Sequence, residues 1–463
     1  MVWSEDLRAV HRGLSPQDLQ FREAACDDPE LLSRATFRKL VDDKGFIAGT
    51  LQPWLTFVGP EKMAELRSVS VGLAGLLRTA PERVLGNDPV RVHDYYGLET
   101  PEILGLFLSR PNGAETAIGR GDLIDTASGF QCLEFNFTPN LGGWETSEIA
   151  RLHLGVPATA RYLRERGIPT AYTSTGRELF AHLIRSAQAR GHCPDGELNV
   201  ALVVPEAVPA GSEASPALDV LRRDFQQACR DSDADLTGDL LPCHFSELTA
   251  VRNYLFLRKS RIHAVAEFCD EPTAPAAYRS FKAEKLTLLN GPIRAVLSSK
   301  LNLALLSESA ESGVYSSEER DFIRRHVPWT RKVARGATDF RGERVSLPDL
   351  LASRREALVL KEATSSGGEG VAIGLHTPQA RWDELARQAL DAREGGWVAQ
   401  ERVESLPYLY QSGEHGCVPH DLIWGPFVFG ERYGGVILRM QPKSVQGAVN
   451  SALGATSGIV FEV

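Results

Sequence analysis

Two carboxylates and an amide stand close together at Asp122, Glu134 and Asn136, in the stretches GRGDLID and CLEFNFTPN. Side chains two apart on a strand share a face, so Glu134 and Asn136 point the same way. Ala127-Ser128-Gly129 supplies a turn, and a hairpin through it sets Asp122 beside them. Such hard oxygen donors suit magnesium held together with phosphates. Arg120 shares the face of Asp122, and its planar fork suits a phosphoryl group or an acyl phosphate. The same residues also describe a half-buried hairpin with an ordinary acidic outer face. Locally, both readings stand.

A second group lies more than 220 residues further on, in LVLKEATSSGGEGVAIG at 358–374. Lys361 sits on a strand, a loop of small residues follows, and a second strand leaves it. Glycines let a backbone approach a ligand and turn its amides inward, which suits phosphate oxygens. A lysine adds a point charge for the same oxygens. The spacing is neither Walker A nor the dinucleotide fingerprint, since no G-K-[ST] follows and Ile373 takes the third glycine position. A phosphate-covering lid and a plain hairpin turn both fit. Lys300 opens an apolar helix, Ser299–Ser307, and either points into a cleft or is solvated. Gln400 and Glu401 end the strand begun by Trp397, where they face an adenine and ribose or simply the surface.

The elements that must position these groups follow from pattern. Residues 1–90 read as helical, with Ser15-Pro16 a cap and a first-turn proline and Leu66–Leu77 at helical spacing. Leu104–Leu108 and Gln131–Phe137 read as strands, and Thr146–Leu154 as a helix. Strand 198–204, helix 217–229 and strand 261–268 alternate as in an open α/β domain. Later come a helix at 379–392 and antiparallel strands at 427–429 and 435–439. His93-Asp94-Tyr95-Tyr96 either borders a substrate pocket or, more commonly for such a stretch, is a turn with packed tyrosines; His263 and Cys269 read as core; Arg324-Arg325-His326 and Arg331-Lys332 either meet an acidic substrate or, as short charge runs usually do, form solvated helix faces.

A chain of 463 residues has room for two or three domains with large cores. A formal charge of −9 leaves no broad basic field for nucleic acid. No run of about 18 apolar residues predicts a membrane span. The start, MVWSEDLRAVHRG, lacks the apolar core of a secretory signal. Seven scattered cysteines, without a CxxC, point to neither a disulfide frame nor a zinc site. A reducing cytoplasm is the expected location.

In chain order these pieces are R-x-D, E-x-N twelve residues after the aspartate, a helix-borne lysine, a strand lysine with a GGxG loop, and W-V-x-Q-E. Together they resemble the circularly permuted ATP-grasp ligases, in particular the synthetase domain of glutathionylspermidine synthases, over roughly residues 90–463. Ordinary ATP-grasp enzymes place the lysines and glycine loop first and the metal-binding residues last. Here the order is reversed, as in the permuted group.

The resemblance implies an α/β (α+β) circularly permuted ATP-grasp fold. Its parts would be a helical N-terminal region (1–90), a metal-binding part of the core (91–170), an open α/β pre-ATP-grasp-like domain (171–295) and an ATP-binding lid with the remaining core strands (296–463). It implies Mg2+ on Asp122, Glu134 and Asn136, and catalytic roles for Arg120, Lys361 and Arg439. Lys300 and Lys361 would bind ATP phosphates, Ser366, Gly367 and Gly368 would close over them, and Gln400, Glu401, Arg402 and Val403 would line the adenine. Asn450 and strand 435–439 would face the cleft.

The implied reaction activates a carboxylate as an acyl phosphate and joins it to an amine, releasing ADP and phosphate. The partners would be a small carboxylate and a small amine, such as an amino acid, peptide or polyamine, with no nucleic acid and no membrane. A nucleotide-binding protein without ligase activity and a small-molecule kinase are the alternatives. The chain departs from the family in three places. No segment matches the amidase domain that accompanies some of these synthetases, the helical front has no match, and a charged insert at Arg331–Arg344 lies between the two lysines.

Overall fold

The computed structural model describes residues 3–28, 31, 34–45, 47, 49–86, 88–98, 105, 116–208, 215–232, 236–269, 272–365, 367–392, 396–412 and 416–463. The strand expected at Leu104–Leu108, apart from Gly105, and the loop residue Ser366 lie outside the described residues.

The fold is mixed α/β, built on a seven-stranded sheet. Across it run Thr56–Val58, Thr456–Glu462, Arg432–Pro442, Gly416–Phe429, Ile118–Thr126 and Gly129–Asn136, and Tyr408–Ser412 also pairs with Gly416–Phe429. All pairings are antiparallel except Thr56–Val58 with Thr456–Glu462. The front of the chain is therefore not wholly helical. Its Thr-Phe-Val strand is buried at all three positions. A fully buried run that short has no alternation to read, and Gly59-Pro60 directly after it looks like a helix start.

The helices form where their caps stand. Ser15 accepts a hydrogen bond from Asp18 N and Pro16 opens the helix Pro16–Asp27. Helix Pro60–Leu85 buries Leu66, Leu73 and Leu77 and packs on Gly416–Phe429 and Arg432–Pro442. Its apolar stripe meets Phe130, Trp424 and Leu438 in the largest core.

A second, all-parallel sheet has the order Thr287–Leu288, Ala264–Glu267, Val200–Val203, Leu240–Cys243. Helices Thr175–Ala189 and Pro216–Arg230 pack together in its core. The stretch read as one strand, 261–268, is two. Ser260–Ile262 joins a meander with Tyr254–Leu257, and Ala264–Glu267 joins the parallel sheet. His263 makes the break, its amide donating to Asn199 O at 2.9 Å.

A third sheet orders Thr330–Lys332, Trp397–Glu401, Leu358–Glu362 and Val371–Ile373. Helices Leu347–Ser353 and Gln379–Asp391 cover one face, where buried Trp382 donates to Leu351 O at 2.8 Å. The charged insert supplies its edge strand and a separate hairpin, Ala337–Phe340 with Glu343–Ser346.

A buried polar knot ties the front helices to the main sheet. Asp18 is fully buried; it takes His11 Nδ1 at 2.7 Å, Arg22 Nη2 at 3.2 Å and the Phe57 amide at 3.0 Å. His11 Nε2 accepts from Leu409 N at 2.9 Å, which leaves its proton on Nδ1. Burial holds the His11 pKa below its usual value. Burial also works against the Asp18 charge, but Arg22 and His11 overcome it and hold its carboxyl low. Both shifts favour folding at neutral pH and lose that effect in acid. Removing one member of such a group strands a buried charge. Asp18→Ala is expected to cost about 3–5 kcal/mol, measured as a fall in the urea midpoint at pH 7. That deficit should shrink as the pH is lowered through the carboxylate range.

Candidate functional site

The hairpin Ile118–Thr126/Gly129–Asn136 sets Asp122 opposite Glu134 and Arg120 opposite Asn136. A register shift follows, and Leu123 pairs with Cys132, so Leu133 is the extra residue of a bulge. The bulge switches the phase of burial. Phe130 and Cys132 are buried before it, Phe135 and Phe137 after it. Glu134 and Asn136 are thereby left on the half-open face.

Cations from elsewhere in the chain meet these carboxylates. Arg439, on strand Arg432–Pro442, brings Nη2 to 2.5 Å from Asp122 Oδ1. Arg120 Nε lies 3.5 Å from the same oxygen, and Arg120 Nη1 donates to Leu141 O at 2.6 Å. The strand between the hairpin and Arg439 is bare at the meeting place. A Cβ at Gly425 would come within 3.0 Å of Ile437 and 3.3 Å of Arg120 Cδ. Burial by itself would raise the Asp122 pKa, but Arg439 and Arg120 hold it below the usual carboxylate range.

Two lysines close the other side. Lys300, immediately before helix Leu301–Ser309, is only 8% exposed and places Nζ 3.3 Å from Glu134 Oε1. It also donates to the Ser365 carbonyl at the foot of the glycine loop. The solvated reading of Lys300 is thus overturned, because the helix is buried and Lys300, at its N-cap, is fixed by its own N donating to Ala363 O at 3.0 Å. Lys361, 7% exposed, donates to Leu133 O at 2.7 Å and to Gln400 Oε1 at 2.7 Å. It uses the carbonyl of the bulge residue. Burial, reinforced by nearby Lys300, lowers its pKa to about 8 against the pull of Glu134 and Asp122.

Glu134 and the two lysines line a narrow cleft together with Ser299, Thr330 and Gln400 among others. Thr330 has no motif around it and is absent from the sequence reading. It belongs here because it pairs with Gln400 across the sheet and accepts from Gln400 Nε2 at 3.1 Å.

The strands flanking the glycine loop form an antiparallel hairpin. Gly367, Gly368 and Gly370 have φ of +67°, +85° and +67°, where other residues are strained. A Cβ on Gly368 would lie 3.1 Å from Leu453 and 3.5 Å from Asn450, so the loop tip rests on the C-terminal turn. The residues from 400 to 403 divide. Gln400 accepts from Lys361, whereas Glu401 is ion-paired to Arg341 at 2.7 Å. Arg402 donates to Glu356 O at 3.1 Å and Glu404 at 2.8 Å, and Val403 is half-buried.

Residues outside the cluster have structural partners. His93 to Tyr96 end the helix Pro89–Tyr96 and are not a turn, and Tyr96 donates to Asn302 Oδ1 at 3.2 Å. His326 is buried, Nδ1 2.7 Å from Phe130 O, so that helix face is not all solvated.

Among the described residues no group of three or more His, Cys, Asp and Glu forms a metal site. A magnesium site here would rest on two carboxylates and the Asn136 amide. The set fits such a guest in one further respect. Asp122 Oδ1, Arg120 Nε, and Arg439 Nε and Nη2 are buried and face one another without an aligned hydrogen bond. Their contacts are charge contacts, which a cation on the carboxylate and an anion on the arginines would complete. If Lys361 serves an anion, its charge is needed and is lost as pH rises through about 8. Inorganic triphosphate is expected to bind more weakly at pH 9 than at pH 7, by up to about tenfold per unit. In Lys361→Arg that dependence should vanish, read by isothermal titration calorimetry.

No protein-family model matches the chain, and no curated protein matches it. Among solved structures the fold is similar to a glutathione synthetase-like effector from Globodera pallida, in its apo form. The TM-score is 0.59 at 11% identity, over 94% of this chain and 98% of that one. At that identity the likeness is one of fold. A putative γ-glutamylcysteine synthetase from Methylobacillus flagellatus aligns over 83% of this chain and 87% of its own, at 12% identity and a TM-score of 0.39. So low a score carries no further weight. No described helix is long and apolar enough to cross a membrane.

Proposed function

We propose that this chain is an ATP- and Mg2+-dependent ligase of the circularly permuted ATP-grasp type, joining a small carboxylate to a small amine. One observation carries the reading. Arg120, Asp122 and Glu134 of one hairpin meet Lys300, Lys361 and Arg439 from three other segments in a single, largely buried cluster of opposite charges. The fold's likeness to a glutathione synthetase-like protein supports it. In this reading residues 1–90 brace the core, 91–170 hold the metal, 171–295 form the pre-grasp domain and 296–463 supply the lid.

Asp122, Glu134 and Asn136 would hold Mg2+, which supplies charge neutralisation of the nucleotide phosphates. Lys300 and Lys361 bind the phosphates from the opposite side, and residues 400–403 border the adenine. Gly367 and Gly368 lie in the loop that excludes water from an acyl phosphate. Arg120 and Arg439 hold the transferred phosphoryl group. The substrate carboxylate attacks the γ-phosphorus and ADP leaves. The amine nitrogen then attacks the acyl carbon and phosphate leaves. Positioning and charge stabilisation are the protein's contribution.

The test measures ADP release over a panel of carboxylates and amines. Asp122→Asn and Glu134→Gln should each lower it by about a hundredfold or more, and full activity in both would sink the metal assignment. Product mass separates the alternatives. An amide supports ligation, and a phosphorylated substrate makes the protein a kinase. Nucleotide binding with no ADP from any pair makes it a binding protein.

A further inference from the structure

Cys26 and Cys417 are 391 residues apart in sequence, yet their Sγ atoms lie 3.2 Å apart. Neither is in a disulfide and both are half-buried, so a small reagent can reach them. Cys26 is at the end of helix Pro16–Asp27, and Cys417 is the second residue of strand Gly416–Phe429. Both elements are held in place independently of the sulfurs. The helix is fixed by the Asp18 knot, and the strand is held at Cys417 by its pairing with Gln411 of strand Tyr408–Ser412. A shift of about 1 Å brings the sulfurs to the roughly 2.05 Å of a bond. No spacing in the sequence announces such a pair.

We propose that Cys26 and Cys417 are a thiol-modification site, a vicinal pair in space that a low-molecular-weight disulfide oxidises to an intramolecular crosslink. The Cys417 thiolate attacks one sulfur of the small disulfide, that S–S bond breaks, and one small thiol leaves with the proton. Cys26 then loses its proton and attacks Cys417 Sγ, and the second small thiol leaves. The protein gives up two electrons and two protons, and one small disulfide becomes two thiols. The order of attack follows from the surroundings. The hydrogen bond from Cys26 lowers the Cys417 thiol to about 7, and the same contact pushes Cys26 up. The thiolate is the attacking form.

The crosslink would tie the front helices to the strand that carries Gly425, closing a very long loop. Long closed loops constrain the unfolded chain most. It is thus a latch on the fold, outside the candidate site and independent of the proposed reaction.

The full chain is treated with excess oxidised glutathione at pH 8 and analysed by intact mass and non-reducing peptide mapping. The expected result is loss of two hydrogens, one Cys26–Cys417 crosslinked peptide, and a raised thermal transition that dithiothreitol reverses. Cys26→Ser should instead stop at a single glutathione adduct on Cys417. Cys417→Ser provides the reciprocal check, with no crosslink and slow modification of Cys26. A stable adduct on Cys417 in the unmutated chain, or a crosslink joining other cysteines in preference, would overturn the proposal. So would an unmodified pair after the same treatment.

Discussion

Two carboxylates directly opposite each other on an antiparallel pair repel, and a strand pair does not accept them without compensation. Asp122 and Glu134 are such a pair. The arrangement around them follows from that constraint. Arg439 and Arg120 come to Asp122, Lys300 to Glu134, and Lys361 stands beside both. Each cation is borne by a different element, so the hairpin's carboxylates are met where the main sheet, the helix at 301–309 and the sheet of Leu358–Glu362 converge. The price of convergence is two buried lysines, and one of them has a lowered pKa.

The bulge at Leu133 makes the convergence geometrically possible. It turns Glu134 and Asn136 to the open face while Cys132 stays in the core, and it frees a carbonyl for Lys361. Gly425 does the corresponding job across the sheet, leaving room for the Arg120 side chain, whose Cδ a Cβ at that position would approach to 3.3 Å. The parallel sheet stands beside this core, and the front helices brace it through Asp18 and the strand Thr56–Val58.

Much of this was legible beforehand. Period-two alternation found the hairpin and the shared face of Glu134 and Asn136. The glycine loop and its strand lysine were visible as composition, and their positive φ angles explain why glycine is there. Other features were not. Thr330 enters only through its partner Gln400, and Gly425 looks like any strand glycine. Thr56–Val58 is too short for periodicity to speak. The side chains of Glu401 and Arg402 turn to Arg341, Glu356 and Glu404, and the sequence contains no hint of those partners.

By itself the sequence determined local things: where the longer periodic strands and helices lie, which side chains share a face, and where the backbone needs glycine. These depend on spacing and on the conformational limits of single residues. Tertiary structure alone decided the pairings: Arg439 with Asp122, Lys300 with Glu134, Lys361 with a bulge carbonyl, and Cys26 with Cys417. Those contacts each span more than a hundred residues, and their partners are chosen by sheet register and helix docking. The motif residues were readable one by one. Whether Lys300 was a solvated helix end or part of a charged cluster was settled only when the helix was buried and its N-cap fixed.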